Sequence, residues 1–307
     1  MKEQVGLLVF SYGTPQTEAD IMPYYTSIRH GYAPTQAEID VLSRRYEAIG
    51  GLSPLAAITK RQAEQLAMQV NERLSGVDYQ LFVGNKHIAP FIEDAVDQMG
   101  QAGIQKAVAI ITAPYFSSFT TQAYFDRANR KAKKYGLAIQ QVPAWNEEER
   151  FLQYWADALL HTRKTLPEFA RVKVVFTAHS LPYHVIFMGD TYPEAVKKTA
   201  QRIASLANVS DYSLAWQSAG VRGDWLTPDV ETVTKEIEAS DYEAVIYVPI
   251  GFVADHLEIL YDNDIKCRAL CNELGLRYRR VPMPNDDPFF IEAMTDAVEK
   301  VVTKEKA

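Results

Sequence analysis

At 307 residues, with 47% hydrophobic and 23% charged side chains, the chain has a globular composition and enough length for two domains, each with its own core. The net charge of −7, from 32 basic and 39 acidic side chains, argues against a general nucleic-acid binder. No apolar run approaches membrane-spanning length, and the opening Met1-Lys2-Glu3-Gln4-Val5-Gly6 lacks a signal-peptide pattern. Two cysteines, Cys267 and Cys271, are too few for a disulfide scaffold or a four-thiolate cluster, so a cytosolic protein with reduced thiols is expected.

Short β-branched runs ending at Gly, Pro or small residues predict strands at 5–10, 79–83, 107–112 and 138–142. A second set follows at 172–177, 212–216 and 244–248. Helical periodicity lies between them. The segment 59–74 repeats Ala63, Leu66, Ala67, Val70 and Leu74, and 90–99 opens with Pro90 at a first helical position before Ile92, Ala95, Val96 and Met99. Further helices are predicted at 193–206, 229–239 and 288–301, and the basic run Arg127, Arg130, Lys131, Lys133 and Lys134 reads as a solvated helix face. Strands alternating with helices mean an α/β fold of parallel sheets flanked by helices.

The halves resemble each other. Val9-Phe10-Ser11-Tyr12-Gly13-Thr14-Pro15 is answered by Phe176-Thr177-Ala178-His179-Ser180-Leu181-Pro182, and Thr112-Ala113-Pro114-Tyr115-Phe116 by Val248-Pro249-Ile250-Gly251-Phe252. Two similar Rossmann-like domains are expected, 1–150 and 151–285, with an active cleft between them and the segment 286–307 packing back on the first. Ligands of such sheets bind beyond the carboxyl ends of the strands. No glycine-rich phosphate fingerprint is present, so no nucleotide cofactor is expected.

The first candidate for chemistry is His179, at the end of an apolar strand before a Ser-Leu-Pro turn. There an imidazole can be a metal ligand, a proton acceptor or a structural group. The segment Gly251-Phe252-Val253-Ala254-Asp255-His256-Leu257-Glu258, followed by Asp262 and Asp264, crowds ionisable groups together. If 255–260 is helical, Asp255 and Glu258 share a face, as do Glu258 and Asp262. Carboxylates with imidazole suit a divalent first-row metal, whereas a plain helix start accounts for Asp255 alone.

Arg29, Arg45, Tyr46 and Ser53 fall in the stretch 24–55, which shows little helical regularity. Guanidinium forks with hydroxyls suit carboxylates, although surface solvation is the default for any single arginine. Lys86 and His87 follow a strand, where they either line a cleft or begin a loop. Trp216 and Trp225 read as packing residues able to border a flat ligand, and the sequence assigns no role to His30, His161 or His184.

Six segments together resemble ferrochelatases. They are Tyr12-Gly13-Thr14-Pro15, the run from Arg45 to Leu55 (RYEAIGGLSPL), Lys86-His87-Ile88, Ala178-His179-Ser180-Leu181-Pro182, Trp216-Gln217-Ser218 and the Gly251 to Glu258 stretch. The likeness extends from about 6 to 284 in the right order. It is similar in particular to the coproporphyrin ferrochelatases of Gram-positive bacteria, because the turn here is Ser11-Tyr12-Gly13-Thr14-Pro15 where relatives that use protoporphyrin usually carry Asn-Leu or Asn-Met before the glycine. The C-terminal cysteine extension of animal ferrochelatases is also lacking. The resemblance implies insertion of Fe2+ into coproporphyrin III to give iron coproporphyrin. His179 and Glu258 would handle metal and protons, and Tyr12 would be an axial ligand to iron from the opposite porphyrin face. Arg29, Arg45, Tyr46, Ser53 and Tyr124 would hold propionates or the ring edge. It further implies an outer metal path through Asp262 and Asp264, with a regulatory Mg2+ there and no other cofactor. Transient contact with neighbouring haem-pathway enzymes, a monomeric state and a cytoplasmic location complete the expectation.

Departures from the family pattern are Ala219 where Glu is usual, Thr227 where Gly is usual, Asn85 where Leu is common, and Lys266 in place of an acidic residue of the outer metal path. They leave the inner pair intact and bear on the outer position. Rival readings are a protoporphyrin IX ferrochelatase, a chelatase for another tetrapyrrole such as sirohydrochlorin, and a haem-binding or haem-transfer protein without turnover. Retention of both His179 and Glu258 weighs against the last.

Overall fold

The computed structural model describes residues 2–220, 223–238 and 241–304. It divides into two compact units, Met1–Glu148 with Asn285–Ala307, and Glu149–Pro284.

The first unit begins with β1 (Glu3–Ser11), in which Leu7, Leu8, Val9 and Phe10 are wholly buried, as a strand covered on both faces requires. Next come α1 (Ile21–Ile28), α2 (Gln36–Ala48), α3 (Leu55–Arg73), β2 (Val77–Asn85), α4 (Ile92–Gln101), β3 (Lys106–Ile111), α5 (Gln122–Ala132) and β4 (Ala138–Val142). The four strands are parallel in the order β2-β1-β3-β4. On one face Leu8, Phe10, Ala109 and Ile111 pack against Ile92, Val96 and Met99 of α4 and Phe125 and Ala128 of α5.

The second unit runs α6 (Glu149–Arg163), β5 (Val172–His179), α7 (Tyr183–Phe187), α8 (Tyr192–Leu206), β6 (Tyr212–Gln217), α9 (Val230–Glu238) and β7 (Ala244–Val248). A π-helix (Ile259–Cys267), α10 (Arg268–Glu273) and β8 (Arg277–Arg280) complete it. Its sheet is also parallel, in the order β6-β5-β7-β8, so each unit repeats one strand order. Val175, Ala215, Val245 and Tyr247 form a core with Val233 and Ile237 of α9 and with Cys267 and Cys271, both free buried thiols. Finally α11 (Pro288–Lys304) returns to the first unit against α3. Arg73 of α3 pairs with Asp296 at 2.5 Å and Glu292 at 2.9 Å, and Gln62 donates to the Asn285 carbonyl at 2.7 Å.

The strand order fixes where a ligand can sit. In an order of this kind the switch point lies between the first and third strands of the unit, beyond their carboxyl ends. In the second unit those are β5, which ends at His179, and β7, which is followed by Gly251 and Glu258. In the first they are β1, which runs into Tyr12, and β3.

Several elements differ from the sequence expectation. The stretch 24–55 holds most of α1 and all of α2; α2 buries only Tyr46, so it lacks an apolar stripe to reveal it. Pro90 precedes the helix rather than opening it, because Phe91 is the N-cap and Asp94 accepts its N–H at 2.7 Å. Arg127 and Lys131 are not solvated: they are half-buried and paired with Glu93 and Asp97. The segment 255–260 is not one α-helix, for Asp255 and His256 precede the helical turn and a π-helix starts at Ile259. Ala239, the last residue of the predicted 229–239 helix, lies outside the described residues.

Candidate active site

His179 closes β5, where its register partner is Gln217 and the next amide, Ser180 N–H, donates to the Gln217 carbonyl at 2.8 Å. Its Nδ1 lies 2.5 Å from the Ser180 carbonyl, an arrangement that puts the ring proton there and aims Nε2 the other way. Glu258 reaches the same place from the segment after β7. That approach depends on Gly251: a methyl at this position would stand 2.6 Å from the Ala178 Cα and 3.3 Å from the His179 nitrogen.

His179 Nε2 stands 3.6 Å from Glu258 Oε1, an ion-pair contact rather than a hydrogen bond. A second imidazole faces the other oxygen, with His256 Nε2 at 3.6 Å from Glu258 Oε2 and His256 Nδ1 at 2.8 Å from the Ala254 carbonyl. Both rings therefore present Nε2 to one carboxylate. Burial works against an imidazolium at His179, but the Glu258 charge more than offsets it, with help from the Ser180 carbonyl and the Asp262 charge. The group is held up at about 9. Burial alone would raise the Glu258 carboxyl, whereas the His179 charge holds it well below the usual carboxylate range. At neutral pH the resting pair is an imidazolium beside a carboxylate, storing a proton that a cation or a base can displace.

Behind the pair, the Tyr192 hydroxyl donates to the His179 carbonyl at 3.1 Å and fixes the strand end. After that strand end, α7 and its C-cap Met188 expose Tyr183, Phe187 and Met188, the last two at 81% each, an uncommon apolar surface.

Asp262 and Asp264 part company on the π-helix. Asp262 is 14% exposed; its Oδ2 accepts the Ser218 hydroxyl at 2.8 Å and its Oδ1 lies 3.3 Å from Lys266 Nζ. Ser218 holds a left-handed backbone, φ 60°, to make that bond. Asp264 instead takes Arg280 at 2.8 and 2.9 Å and the Tyr278 hydroxyl at 2.8 Å. Asp255 also pairs with Arg280, at 3.1 Å, rather than with Glu258. Among the described residues no group of three or more His, Cys, Asp or Glu side chains is arranged to hold a metal ion. A resident Mg2+ wants oxygen donors in octahedral array, and an Asp262 facing an ammonium beside an Asp264 held by a guanidinium does not fit it.

In the first unit Tyr12 leaves β1 43% exposed, its ring centroid 4.5 Å from that of His87 with the two rings tilted at 56°, and edge-on to Tyr24 at 6.4 Å. The loop after β2 supports it: Lys86 N–H donates to the Ser11 carbonyl at 2.9 Å and His87 N–H to the Tyr12 carbonyl at 3.2 Å. Gly13 makes the turn at φ +84°, with Ile88 and Asn85 where a side chain would go. His87 Nδ1 meets the Ser27 hydroxyl at 3.0 Å. Burial first, then the Lys86 and Arg127 charges, lower its pKa to about 4, so it is a neutral ring. Lys86 donates to the Thr120 carbonyl at 3.2 Å and sits over the Tyr124 ring at 5.0 Å; burial lowers it to about 8. Tyr124 is buried, and burial raises its phenol pKa.

The proposed anion-binding set is less open. Arg29 is engaged by Glu38, whose carboxylate also caps α2 at Thr35. Tyr46 and Ser53 are buried, and the Ser53 hydroxyl accepts Leu55 N–H at 3.3 Å. Arg45 is half-buried near the end of α2.

In the sequence His256 is one of a crowd of ionisable groups and nothing marks it out, because its approach to Glu258 depends on a non-helical turn. Tyr192, which bonds to the His179 carbonyl, was missed with no local signal. Arg127 reads in the sequence as a surface charge, but it donates to the Lys86 carbonyl at 2.8 Å while clamping Glu93.

The Ferrochelatase family model matches residues 4–302. The chain belongs to the ferrochelatase family. It is 48% identical over 309 residues to the coproporphyrin III ferrochelatase of Anoxybacillus flavithermus, covering 99% of this chain and 98% of that one. It is 46% identical over 308 residues to that of Halalkalibacterium halodurans, covering 99% of each. Among solved structures, SirB from Bacillus subtilis with Fe3+ superposes with a TM-score of 0.61 at 13% identity, covering 99% of this chain and 97% of that one. CbiX, described as the terminal enzyme of sirohaem biosynthesis in denitrifying bacteria, gives 0.56 at 12% identity, covering 96% and 98%. At such identities these two share the fold. As a ferrochelatase the chain is an enzyme that inserts metal into a porphyrin.

Proposed function

We propose that this ferrochelatase inserts Fe2+ into coproporphyrin III to give iron coproporphyrin, as the names of its 46–48% identical relatives indicate. The observation that carries the reading is the His179–Glu258 pair, an imidazole and a carboxylate facing each other at 3.6 Å, with a proton held on the imidazole by the carboxylate charge. In the reaction two pyrrole N–H bonds break, iron binds the four nitrogens and two protons leave. Nε2 and the carboxylate replace water around arriving Fe2+, which drives off the stored proton, since metal binding to imidazole requires the neutral ring. Once iron moves to the ring, the same groups take up pyrrole protons.

The exposed Tyr183, Phe187 and Met188 suit a flat apolar macrocycle, and Arg29, Arg45, Tyr46, Ser53 and Tyr124 serve its propionates and edge, with Lys86 and His87 lining the approach. Arg29 would exchange Glu38 for a propionate, a swap between like partners in a half-exposed place. Tyr12 is the oxygen ligand to iron in the product. Asp262 serves an outer metal path; Asp264, held by Arg280, contributes charge. The enzyme acts as a cytoplasmic monomer that meets its pathway neighbours transiently. No helix among the described residues is long and apolar enough to cross a membrane.

His179→Ala tests the reading. Insertion should nearly vanish while coproporphyrin binding, followed by fluorescence quenching, stays within about threefold, because propionate and ring contacts supply most ground-state affinity. Normal turnover in the variant would move the metal chemistry elsewhere.

A further inference from the structure

We propose that the Lys266 ammonium is a tethered cation that caps Asp262 and competes with incoming Fe2+ at the outer end of the metal-side helix. This rests on the reading that the enzyme inserts Fe2+. Glu258, Asp262 and Lys266 follow one another at intervals of four residues. The Asp262 charge acts on His179, so the outer carboxylate and the inner pair share one electrostatic field. Asp262 is nearly enclosed, and its two oxygens have different partners: Oδ2 takes the Ser218 hydroxyl, and Oδ1 faces Lys266 Nζ at 3.3 Å. Asp264 and Asp255 offer no alternative landing place, since Arg280 holds both. A divalent cation drawn to this carboxylate therefore meets an ammonium already at Oδ1, and two cations cannot share that oxygen without strong repulsion.

The cap is displaceable. Lys266 is 55% exposed, its Nζ lies 5.3 Å from the Tyr261 ring centroid, and its flexible stem can swing to water. A half-exposed ion pair of this kind is weak, so the competition should raise the KM for Fe2+ about two- to fivefold, without blocking access. The same charge disfavours Mg2+, in keeping with the poor fit of these residues to that ion. In effect Lys266 sets the iron concentration at which the enzyme works, independently of the porphyrin.

The test is anaerobic steady-state insertion at saturating coproporphyrin III, with Fe2+ varied at low and at about 0.5 M salt. Lys266→Gln should lower the Fe2+ KM about two- to fivefold at low salt, leave kcat and the porphyrin KM within twofold, and lose its advantage in high salt, where screening weakens the pair. Lys266→Arg, which keeps the charge, should restore the parental KM. An unchanged Fe2+ KM in Lys266→Gln, or equal changes in Gln and Arg variants, would overturn the cap. Absence of iron insertion by the parent enzyme would instead overturn the functional reading beneath it.

Discussion

Glu258→Gln is the sharpest perturbation, because it removes one charge while keeping the side chain's size. In the parent protein His179 is held at about 9 against the cost of burial, chiefly by the Glu258 carboxylate. Without that charge burial is opposed only by the Ser180 carbonyl and Asp262, and the pKa should fall to about 6.5 or below. At pH 7 the neutral fraction of His179 then rises from about 1% to about three quarters or more, roughly a 75-fold change. Ring-nitrogen NMR of the metal-free protein across pH 5 to 10 reads this directly, with His179→Ala assigning the resonance. The sign carries into catalysis. A neutral imidazole is needed to bind metal or take a proton, so parental insertion should climb as pH rises towards about 9, and in the variant the surviving activity should level off at least about 2.5 units lower. A His179 that still titrates above 8 in Glu258→Gln, or below 7 in the parent, would refute the coupling.

Gly251→Ala should press a methyl into Ala178 and His179, destabilise the protein by about 1–3 kcal/mol as overpacking does, and reduce insertion at least tenfold by parting His179 from Glu258. Thermal melts and rates like those of the parent would show that the close approach is dispensable. Tyr12→Phe keeps the ring against His87 and removes the oxygen, so the visible and resonance Raman spectra of bound ferric coproporphyrin should change while insertion is largely retained. Unchanged spectra would rule out ligation, and lost insertion would make Tyr12 catalytic.

The sequence revealed those parts of the fold that local chemistry determines. Strands such as β1 and β7, buried on both faces, stand out as unbroken apolar runs, and the repeated turn after them showed the duplication that the strand orders repeat. By contrast α2 hid because its one buried side chain leaves no stripe, although Thr35 and Glu38 spell a capping box that was there to read. The edge strand β8, Arg-Tyr-Arg-Arg, buries only Tyr278 and looks like a polar loop. The π-helix could not be foreseen, since its register comes from packing rather than from composition, and with it went the separation of Asp262 from Asp264. His179 stands out in the sequence because it ends an apolar strand, and Glu258 because it falls in a crowd of ionisable groups. The roles of His256 and Tyr192 do not show there, because they exist only after the chain has folded.

The most direct measurement of the central claim is anaerobic Fe2+ insertion by the purified enzyme, followed by fluorescence loss with coproporphyrin III and protoporphyrin IX in parallel. The account predicts faster insertion into coproporphyrin III, abolished for both porphyrins by His179→Ala. Equal or reversed rates would contradict the choice of substrate, and no metallation of either porphyrin would contradict the account itself.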